Sequence, residues 1–361
     1  MRILLVAHGA NHSTYDIYRY YAKALSDAGA DLTTFPYHMA MDYHHRAITS
    51  MYPEMTESDV LHKTVLGASR DIISQAVLSQ PEHVLFVGGL AVPQYISAAV
   101  YNMRSLLKTS YYVGYIFTES PYQDDEQEFY MNYSDYAFFN DKYSAEAYNP
   151  DGELYVEYLP HSYAKEVHYP YHEIDNQEHD VVFCGTLYPE RVNFFNRIDW
   201  TNVDVKMIGN YSDSNTRLTL NGFVHGTLNN IQLAELYRNS KLAINFHRHA
   251  ENAYSANPRI REAVMCGCLP ISDYRKEIED VFGDSIPFVS NSDEMSDAIR
   301  NLLDNPEERK NRLSNAQKCI MNKDSYDNRV NDIILPLLRE VGEWYGEVNG
   351  SQLKNPVRRN D

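Results

Sequence analysis

The chain has little of what would mark several classes of protein. Its 361 residues include four cysteines, too few and too irregularly placed for a disulfide framework or a zinc site. No apolar run approaches the about 20 residues that a membrane span requires, and residues 2–7 already predict a strand, so we expect a soluble cytoplasmic protein. The sequence contains neither G-x-G-x-x-G nor a P-loop, which leaves a dinucleotide cofactor and ATP hydrolysis without support.

Basic residues are also scarce. Lys and Arg number 32 against 50 Asp and Glu, a formal net charge of −18, and residues 1–160 alone hold 9 basic and 20 acidic side chains. This charge disfavours unspecific attraction to nucleic acid or to an anionic membrane, although it is compatible with a local basic groove. There is no Asp-x-Asp motif, and we interpret residues 124–126 (DDE) as an acidic surface run, so no metal site is expected.

Apolar segments alternate with helical patterns along the chain. In the first half a helix is predicted at 14–28, and strands are predicted at 2–7, 83–87, 111–117, 135–139 and 155–159. The rhythm restarts after a polar connector, with strands predicted at 181–184, 205–208, 242–246, 269–272 and 286–289, and helices at 229–239, 258–266, 292–303 and 306–322. Such alternation is typical of parallel, doubly wound sheets.

The length suits two domains of roughly 150 to 180 residues each. We therefore predict two Rossmann-like domains facing a central cleft, the first formed by residues 1–160. The second is expected to span residues 161–345, with a last helix at 326–345 that crosses back toward the first half. Residues 346–361 are interpreted as a polar tail.

Ligands of open parallel sheets bind beyond the carboxyl ends of the strands. The candidate polar or flexible positions that follow predicted strands are Gly9, His12, Glu119, Gly185, Thr186, Asn245 and His247. Both halves of the chain therefore place candidate binding residues at this edge of their sheets.

The segment Asn257-Pro258-Arg259 predicts the start of a short helix directed at an anion. Asn is a preferred N-cap, Pro is tolerated at the first helical position, and Gly267 can end the helix in a left-handed conformation. Free backbone N–H groups beside Arg259 suit a phosphate. Glu262 shares a face with Arg259, where it could hold the hydroxyl pair of a ribose. Taken alone, the segment is equally compatible with an ordinary capped helix.

Two segments resemble a known family. Residues 183–191 (FCGTLYPER) and 257–270 (NPRIREAVMCGCLP) are similar to the second domain of GT-B glycosyltransferases, and most similar to the spore-maturation-protein-like (CgeB-type) branch. Residues 305–309 and 324–329 resemble the closing helices of that family, and residues 114–121 agree more loosely with its first domain. The resemblance extends over essentially the whole chain, and its specific motifs lie in residues 180–330.

The resemblance implies an α/β fold of GT-B type and transfer of a sugar from a nucleotide sugar, most commonly a UDP-sugar. The second domain would hold this donor and the first domain the acceptor, with no further cofactor and no bound metal. By resemblance, Glu262 would bind the ribose, Arg191 and Arg259 the diphosphate, and Asn257 would lie at the phosphate end of the helix. Related enzymes with two glutamates eight positions apart would need an acid at position 254, which is Tyr254 here.

Several alternatives stay open at this point. A transferase that inverts the anomeric centre needs a general base, for which His12, His8 and Glu119 are candidates, whereas a retaining one does not. The acceptor could be a surface glycan, a protein, a small metabolite or a hydroxymethylated DNA base. The same architecture also serves nucleotide-sugar epimerases and hydrolases, and a degenerate member would only bind a sugar nucleotide. The sequence does not indicate an oligomeric state.

The candidate residues also have purely structural interpretations. Glu262 could be a surface carboxylate, Arg259 an intrahelical ion-pair partner, Arg191 part of an interdomain salt bridge, His12 a turn residue, and His247 a structural hydrogen-bonding group.

Overall fold

A computed structural model describes residues 1–7, 12–88, 92–107, 111–149, 155–170, 177–220, 222–250 and 252–348. The chain divides into two compact units. The first comprises Met1–Pro160 together with the chain from Asp327 onward, and the second comprises His161–Tyr326. The first boundary coincides with the expected one at residue 160. The expected second domain, in contrast, extended to residue 345, with its last helix crossing back toward the first half.

The first unit is built on a parallel sheet of six strands. They are Arg2–Ala7 (β1), Asp31–Pro36 (β2), His83–Val87 (β3), Tyr112–Phe117 (β4), Tyr136–Phe139 (β5) and Val156–Tyr158 (β6). Their order in the sheet is β2-β1-β3-β4-β5-β6, and all pairs are parallel. The central strands are buried on both faces, because they are continuous apolar runs that helices cover from either side.

Six helices connect these strands: His12–Asp27 (α1), Tyr37–Met51 (α2), Glu57–Ser79 (α3), Gln94–Leu107 (α4), Asp124–Met131 (α5) and Lys142–Tyr148 (α6). The helices α2 and α3 form a hairpin in which the His44 ring packs on Gly67 and bonds Asp71 at 2.8 Å. A Cβ at Gly67 would lie 2.5 Å from that ring, so the close approach requires glycine there.

The second unit contains a parallel sheet of five strands: His179–Cys184 (β7), Val205–Gly209 (β8), Phe223–His225 (β9), Ser240–Asn245 (β10) and Leu269–Ser272 (β11). Their order is β11-β10-β7-β8-β9. Its helices are Pro189–Phe195 (α7), Asn230–Arg238 (α8), Arg259–Cys266 (α9), Lys276–Phe282 (α10), Ser292–Asp304 (α11) and Pro306–Ile320 (α12). Separate apolar clusters cover its two faces, one containing Phe183 and the other Val182.

The chain ends in a helical segment that differs from the single helix expected at 326–345. Tyr326–Arg329 (α13) leads into a π-helical stretch, Val330–Ile334, and then into Leu335–Val348 (α14). This segment from Asp327 groups with the first unit, where the Arg329 charge lies close enough to influence the buried Tyr21 hydroxyl.

One predicted strand is not formed, and two strands of the structure were not predicted. The expected strand at 286–289 reduces to one bridge between Ser272 and Phe288, since Pro287 has no N–H with which to extend a ladder. Conversely, β2 and β9 had not been predicted. In β2 only Phe35 is buried, so this edge strand lacks the apolar pattern of the central strands.

Candidate functional site

The order of the second sheet creates a natural binding position. Its strand order places β7 beside β10, and the chain continues from these two strands toward opposite edges of the sheet. In doubly wound sheets the loops that follow such a strand pair diverge and leave a crevice for a ligand. The segments that begin at Gly185 and Phe246 therefore frame the candidate site within this unit.

Gly185 and Arg259 lie against one another at the end of β7. Gly185 has a φ of +156°, and a Cβ there would be 2.3 Å from Nη1 of Arg259. That nitrogen donates a hydrogen bond to the carbonyl of Cys184 at 2.7 Å. The structure thus brings these two predicted site residues together, and the positive φ favours glycine at this turn.

Three arginines gather around two aromatic rings beside this turn. The guanidinium carbons of Arg191 and Arg259 lie 5.8 and 6.0 Å from the centre of the Phe183 ring. Those of Arg191 and Arg248 lie 5.3 and 5.5 Å from the Tyr188 ring. We call Arg191, Arg248 and Arg259 the arginine cluster. It concentrates positive charge in a chain whose formal charge is −18.

The members of the arginine cluster differ in exposure. Arg191 is only 4% exposed and donates from Nη1 to the carbonyl of Thr186 at 2.8 Å, while Thr186 itself is exposed. Arg259 is half-buried and Arg248 is exposed. Arg259 is therefore both anchored through Cys184 and open in part to a ligand.

The prediction that Asn257 caps the helix α9 was wrong. Pro258 already has helical angles, φ −61° and ψ −30°, and no side chain accepts a hydrogen bond from the first turn of the helix. Asn257 instead donates from Nδ2 to Oδ1 of Asn245 at 2.7 Å and accepts from Nε of Arg259 at 3.3 Å. Its amide positions the arginine. The predicted end of the helix is confirmed, since Gly267 has a φ of +91°.

His247 is buried and bonded within the protein through both ring nitrogens. Nδ1 lies 2.6 Å from Oδ1 of Asp273, and Nε2 lies 3.2 Å from the backbone nitrogen of Asn257. Burial lowers the pKa of His247, opposed by Asp273, whereas the nearby Arg275 and Arg259 lower it further. Burial by itself would raise the pKa of Asp273, but the hydrogen bonds from His247 outweigh it and lower that pKa.

Glu262 lies inside the unit, 4% exposed, which rules out its interpretation as a surface carboxylate. Its Oε1 accepts from Nδ2 of Asn230 at 3.3 Å and lies 3.9 Å from Nε2 of His168. His168 accepts the Ala164 N–H at Nδ1, so Nε2 carries the hydrogen and donates to Oδ1 of Asn230. These polar partners hold the carboxylate in place.

Position 254, where related enzymes have a glutamate, is occupied by Tyr254. The Tyr254 ring is buried, and its hydroxyl donates to Oδ2 of Asp280 at 2.9 Å. This bond directs the side chain toward α10.

No sequence pattern indicated a role for Arg261. This fully buried side chain donates from Nε to Asp324 at 2.8 Å and from Nη2 to Glu277 at 2.7 Å. Glu277 also accepts the N–H of Ala256, in the loop before α9. The ion-pair triad therefore braces the helix that carries Arg259 and Glu262. No local sequence pattern indicates this triad, because Arg261, Glu277 and Asp324 are far apart in sequence.

The first unit holds the remaining candidates. Gly9 lies outside the described residues, and His12 begins α1 with its side chain outside the described part. Glu119 is half-buried in the turn after β4. The Asn140 amide clamps this turn, accepting the N–H of Ser120 and donating to its carbonyl, both at 2.9 Å.

Among the described residues, no group of three or more His, Cys, Asp or Glu side chains is arranged to hold a metal ion. In the same ranges, no helix has the length and apolarity to span a membrane.

Comparison with known proteins adds a family model and several structures. Residues 191–334 match the family model described as "Glycosyl transferase-like", a segment that includes the arginine cluster and α9. No curated protein sequence matches the chain significantly.

Three solved structures illustrate the proteins to which this chain is similar. An α-glucosyltransferase in complex with UDP-glucose and DNA is 10% identical, with a TM-score of 0.63 over 93% of this chain and 99% of that one. A DNA-modifying β-glucosyltransferase is 14% identical, with a TM-score of 0.59 over 94% and 100%. Anabaena HepE in complex with UDP-glucose is 11% identical, with a TM-score of 0.59 over 96% and 100%.

These similarities confirm the predicted fold class. The chain has an α/β fold with two parallel Rossmann-like sheets that matches GT-B glycosyltransferase structures. At such low identity the structural likeness concerns the fold.

Proposed function

We propose that this protein is a glycosyltransferase that moves a sugar from a UDP-sugar donor to an acceptor hydroxyl. The observation that carries the proposal is the arginine cluster at the β7 and β10 strand ends, in a unit that matches the glycosyltransferase-like family model. All three structural neighbours named above were solved with UDP-glucose, which favours uridine as the donor base. The closer relationship to the CgeB-type branch is part of this proposal.

The proposed chemistry centres on the leaving diphosphate. Breaking the anomeric C–O bond transfers an electron pair to the diphosphate oxygen, and fixed positive groups stabilise that charge as it develops. Arg191 and Arg259 are proposed to supply this stabilisation and Gly185 to let the phosphates approach the backbone. A metal ion is then not needed for that task, so activity should persist in EDTA.

Glu262 is proposed to accept hydrogen bonds from the ribose hydroxyls. It lies on the same helix as Arg259, three residues further along, and Asn230 and His168 hold its carboxylate. A carboxylate that has partners on one side can still accept on its remaining lone pairs. Thr186 and Asn245, near the ends of their strands, complete the proposed donor site.

On the acceptor side, Glu119 and His12 are the proposed general bases for an inverting reaction. In a retaining reaction these residues would only orient the substrates. Asn140 holds the turn on which Glu119 lies.

We further propose that the acceptor is not a nucleic acid, unlike the DNA named for two of the structural neighbours. The segments after the first four strands, residues 8–16, 37–43, 88–96 and 118–128, contain seven Asp or Glu and no Lys or Arg. Binding to DNA depends on cations that neutralise phosphates, which these segments lack. A glycan, a protein hydroxyl or a neutral metabolite fits this edge better.

The first test is calorimetric titration of the purified chain with UDP, GDP, ADP and their glucose derivatives. Binding of uridine nucleotides alone would support the proposal, and saturation at about 100 times Kd should stabilise the fold by about 2.7 kcal/mol. Absence of nucleotide binding would overturn it.

The second test follows UDP release from UDP-glucose with neutral oligosaccharides, with hydroxymethylated DNA and without an acceptor. Transfer to DNA would contradict the proposed acceptor class. Turnover that needs no acceptor would instead favour a hydrolase or epimerase of the same architecture.

A further inference from the structure

His247 lies where three parts of the second unit meet. It follows β10, its ring contacts Asp273 at the end of β11, and its Nε2 faces the backbone of Asn257 just before α9. Both ring nitrogens are already bonded within the protein, to Asp273 and to Asn257, which leaves neither nitrogen available to a ligand. Its contacts suggest another role for a residue that the sequence analysis placed among the donor contacts.

The hydrogen bonds define one state of the ring. A backbone N–H can only donate, so Nε2 must accept from Asn257 and carries no hydrogen. The hydrogen of the neutral ring is therefore on Nδ1, where it points at the Asp273 carboxylate 2.6 Å away. Asp273 also accepts the backbone N–H of His247 at 3.0 Å, which fixes the orientation of the ring.

The next link leads to the arginine cluster. The Asn257 side chain bonds Asn245 at 2.7 Å and accepts from Nε of Arg259 at 3.3 Å. Arg259 in turn donates to the carbonyl of Cys184. A continuous series of hydrogen bonds therefore runs from Asp273 through His247 and Asn257 to the guanidinium proposed to bind phosphate.

We propose that His247 is a positioning residue: its unprotonated Nε2 holds the Asn257 backbone and thereby sets Arg259 for the donor diphosphate. This inference rests on the proposed function. It makes His247 important for donor affinity although the ring does not contact the donor.

Protonation would break this arrangement. An imidazolium has a hydrogen on Nε2, which would oppose the Asn257 N–H and leave two donors face to face. The groups around the ring are Asp273 on one side and the cations Arg259 and Arg275 nearby, and burial together with these cations lowers the pKa of His247. Donor affinity should therefore be constant near neutral pH and fall in acid, as the pH drops below the usual range of histidine.

The test compares two substitutions that separate the ring nitrogens. In His247→Gln an amide oxygen can replace Nε2 as the acceptor for Asn257. In His247→Asn the shorter amide reaches Asp273 but leaves Asn257 without its acceptor. With UDP as the probe, His247→Gln should bind within about threefold of the wild type, and His247→Asn about tenfold more weakly. His179→Gln is the matched control, since His179 pairs with Asp204 at 2.8 Å elsewhere in the unit.

A double-mutant cycle distinguishes positioning from general loss of structure. In the Arg259→Ala background the effect of His247→Asn on UDP affinity should disappear, because the residue on which it acts is gone. An undiminished effect there, or equal affinities of the two His247 variants in the wild-type background, would overturn the inference. If His247→Asn does not fold, the acid-side fall of UDP-glucose affinity decides, because the diphosphate of UDP-glucose, unlike that of UDP, has no terminal phosphate that protonates at about pH 6. The fall must be larger in the wild type than in His247→Gln.

The outcomes separate this inference from the proposed function. If the wild type binds no UDP up to about 1 mM, the proposed function fails, and the inference fails with it. If UDP binds and Arg259→Ala weakens binding while both His247 variants bind normally, only the inference fails.

Discussion

The segments that follow the strands of the two sheets differ in charge. Residues 8–16, 37–43, 88–96 and 118–128, which follow the first four strands, carry seven acidic and no basic residues, most of them within α1, α2 and α5. Asp16 and Asp42 pair with Arg19 and Arg46, one helical turn further along. After β7 and β10 the second unit gathers Arg191, Arg248 and Arg259 around Phe183 and Tyr188. Two units built on the same parallel α/β principle have thus acquired opposite electrostatics. The difference suits a phosphate-bearing donor on the second unit and an acceptor without phosphates on the first.

Among the variants that test this difference in charge, Arg259→Ala should have the largest effect on UDP affinity. The variant removes the half-buried cation that is anchored on Cys184, so UDP affinity should fall about 100-fold by calorimetry. Arg300→Ala is the control, because the exposed Arg300 pairs with Asp199 in the same unit. Equal UDP affinities of wild type and Arg259→Ala would remove the electrostatic basis of the proposed donor site.

Glu262→Gln should have the next largest effect, since it keeps the shape of the side chain but removes its charge. UDP binding should weaken about tenfold, and the preference for UDP over 2′-deoxy-UDP should shrink, because the carboxylate is the proposed partner of the ribose hydroxyls. The exposed Glu308, which pairs with Arg312, offers Glu308→Gln as a control. A variant that still discriminates fully between the two nucleotides would speak against this role.

Asn140→Asp tests the first unit separately. The substitution keeps an acceptor for the Ser120 N–H but loses the donor to the Ser120 carbonyl, which loosens the turn bearing Glu119. Turnover of UDP-glucose should fall about tenfold, because small displacements of reacting groups are costly. UDP affinity should stay unchanged. A parallel loss of UDP affinity would show that the two units do not divide the work as proposed.

The smallest effects are expected from charge reversals at exposed positions. Asp125→Lys, on the acidic α5, should leave UDP affinity within about twofold, since exposed charges are screened over about 10 Å. Arg248→Glu, at the edge of the arginine cluster, should weaken UDP binding about fivefold at low salt. Equal changes of UDP affinity in Asp125→Lys and Arg248→Glu would contradict the proposed difference between the two sheet edges.

Much of the scaffold could be predicted from the sequence. The bounds of β1, β3 and β11 agree with the expected ones, because each is a short, mostly apolar and buried run. β1 and β3 lie inside their sheet, and β11 is an edge strand whose residues are all buried. The short polar strand β2 could not be found that way, and the bridge at Phe288 could not be told from a strand. The local hydrophobic pattern of a sequence therefore indicates buried strands well, but it does not show which polar segments pair at the edge of a sheet.

The candidate site shows the same division. Gly185, Arg191, Arg259 and Glu262 could be selected from motifs and from their positions after strands. The state of Asn257 and His247 could not, because it depends on partners in other segments: Asn245, Asp273 and the helical conformation of Pro258. Arg261 was overlooked for the same reason, since Glu277 and Asp324 are distant in sequence.

The sequence by itself determined the α/β class, the positions of most strands and helices, and the residue types available at the strand ends, since these depend on local periodicity and chain order. Only the tertiary structure decided which polar groups are buried and to which partner each bonds. A hydrogen bond or ion pair between distant segments forms when folding brings both groups out of water together. The tertiary structure therefore decided that Glu262 is held by Asn230 and His168, and that the His247 ring bonds to the Asn257 backbone.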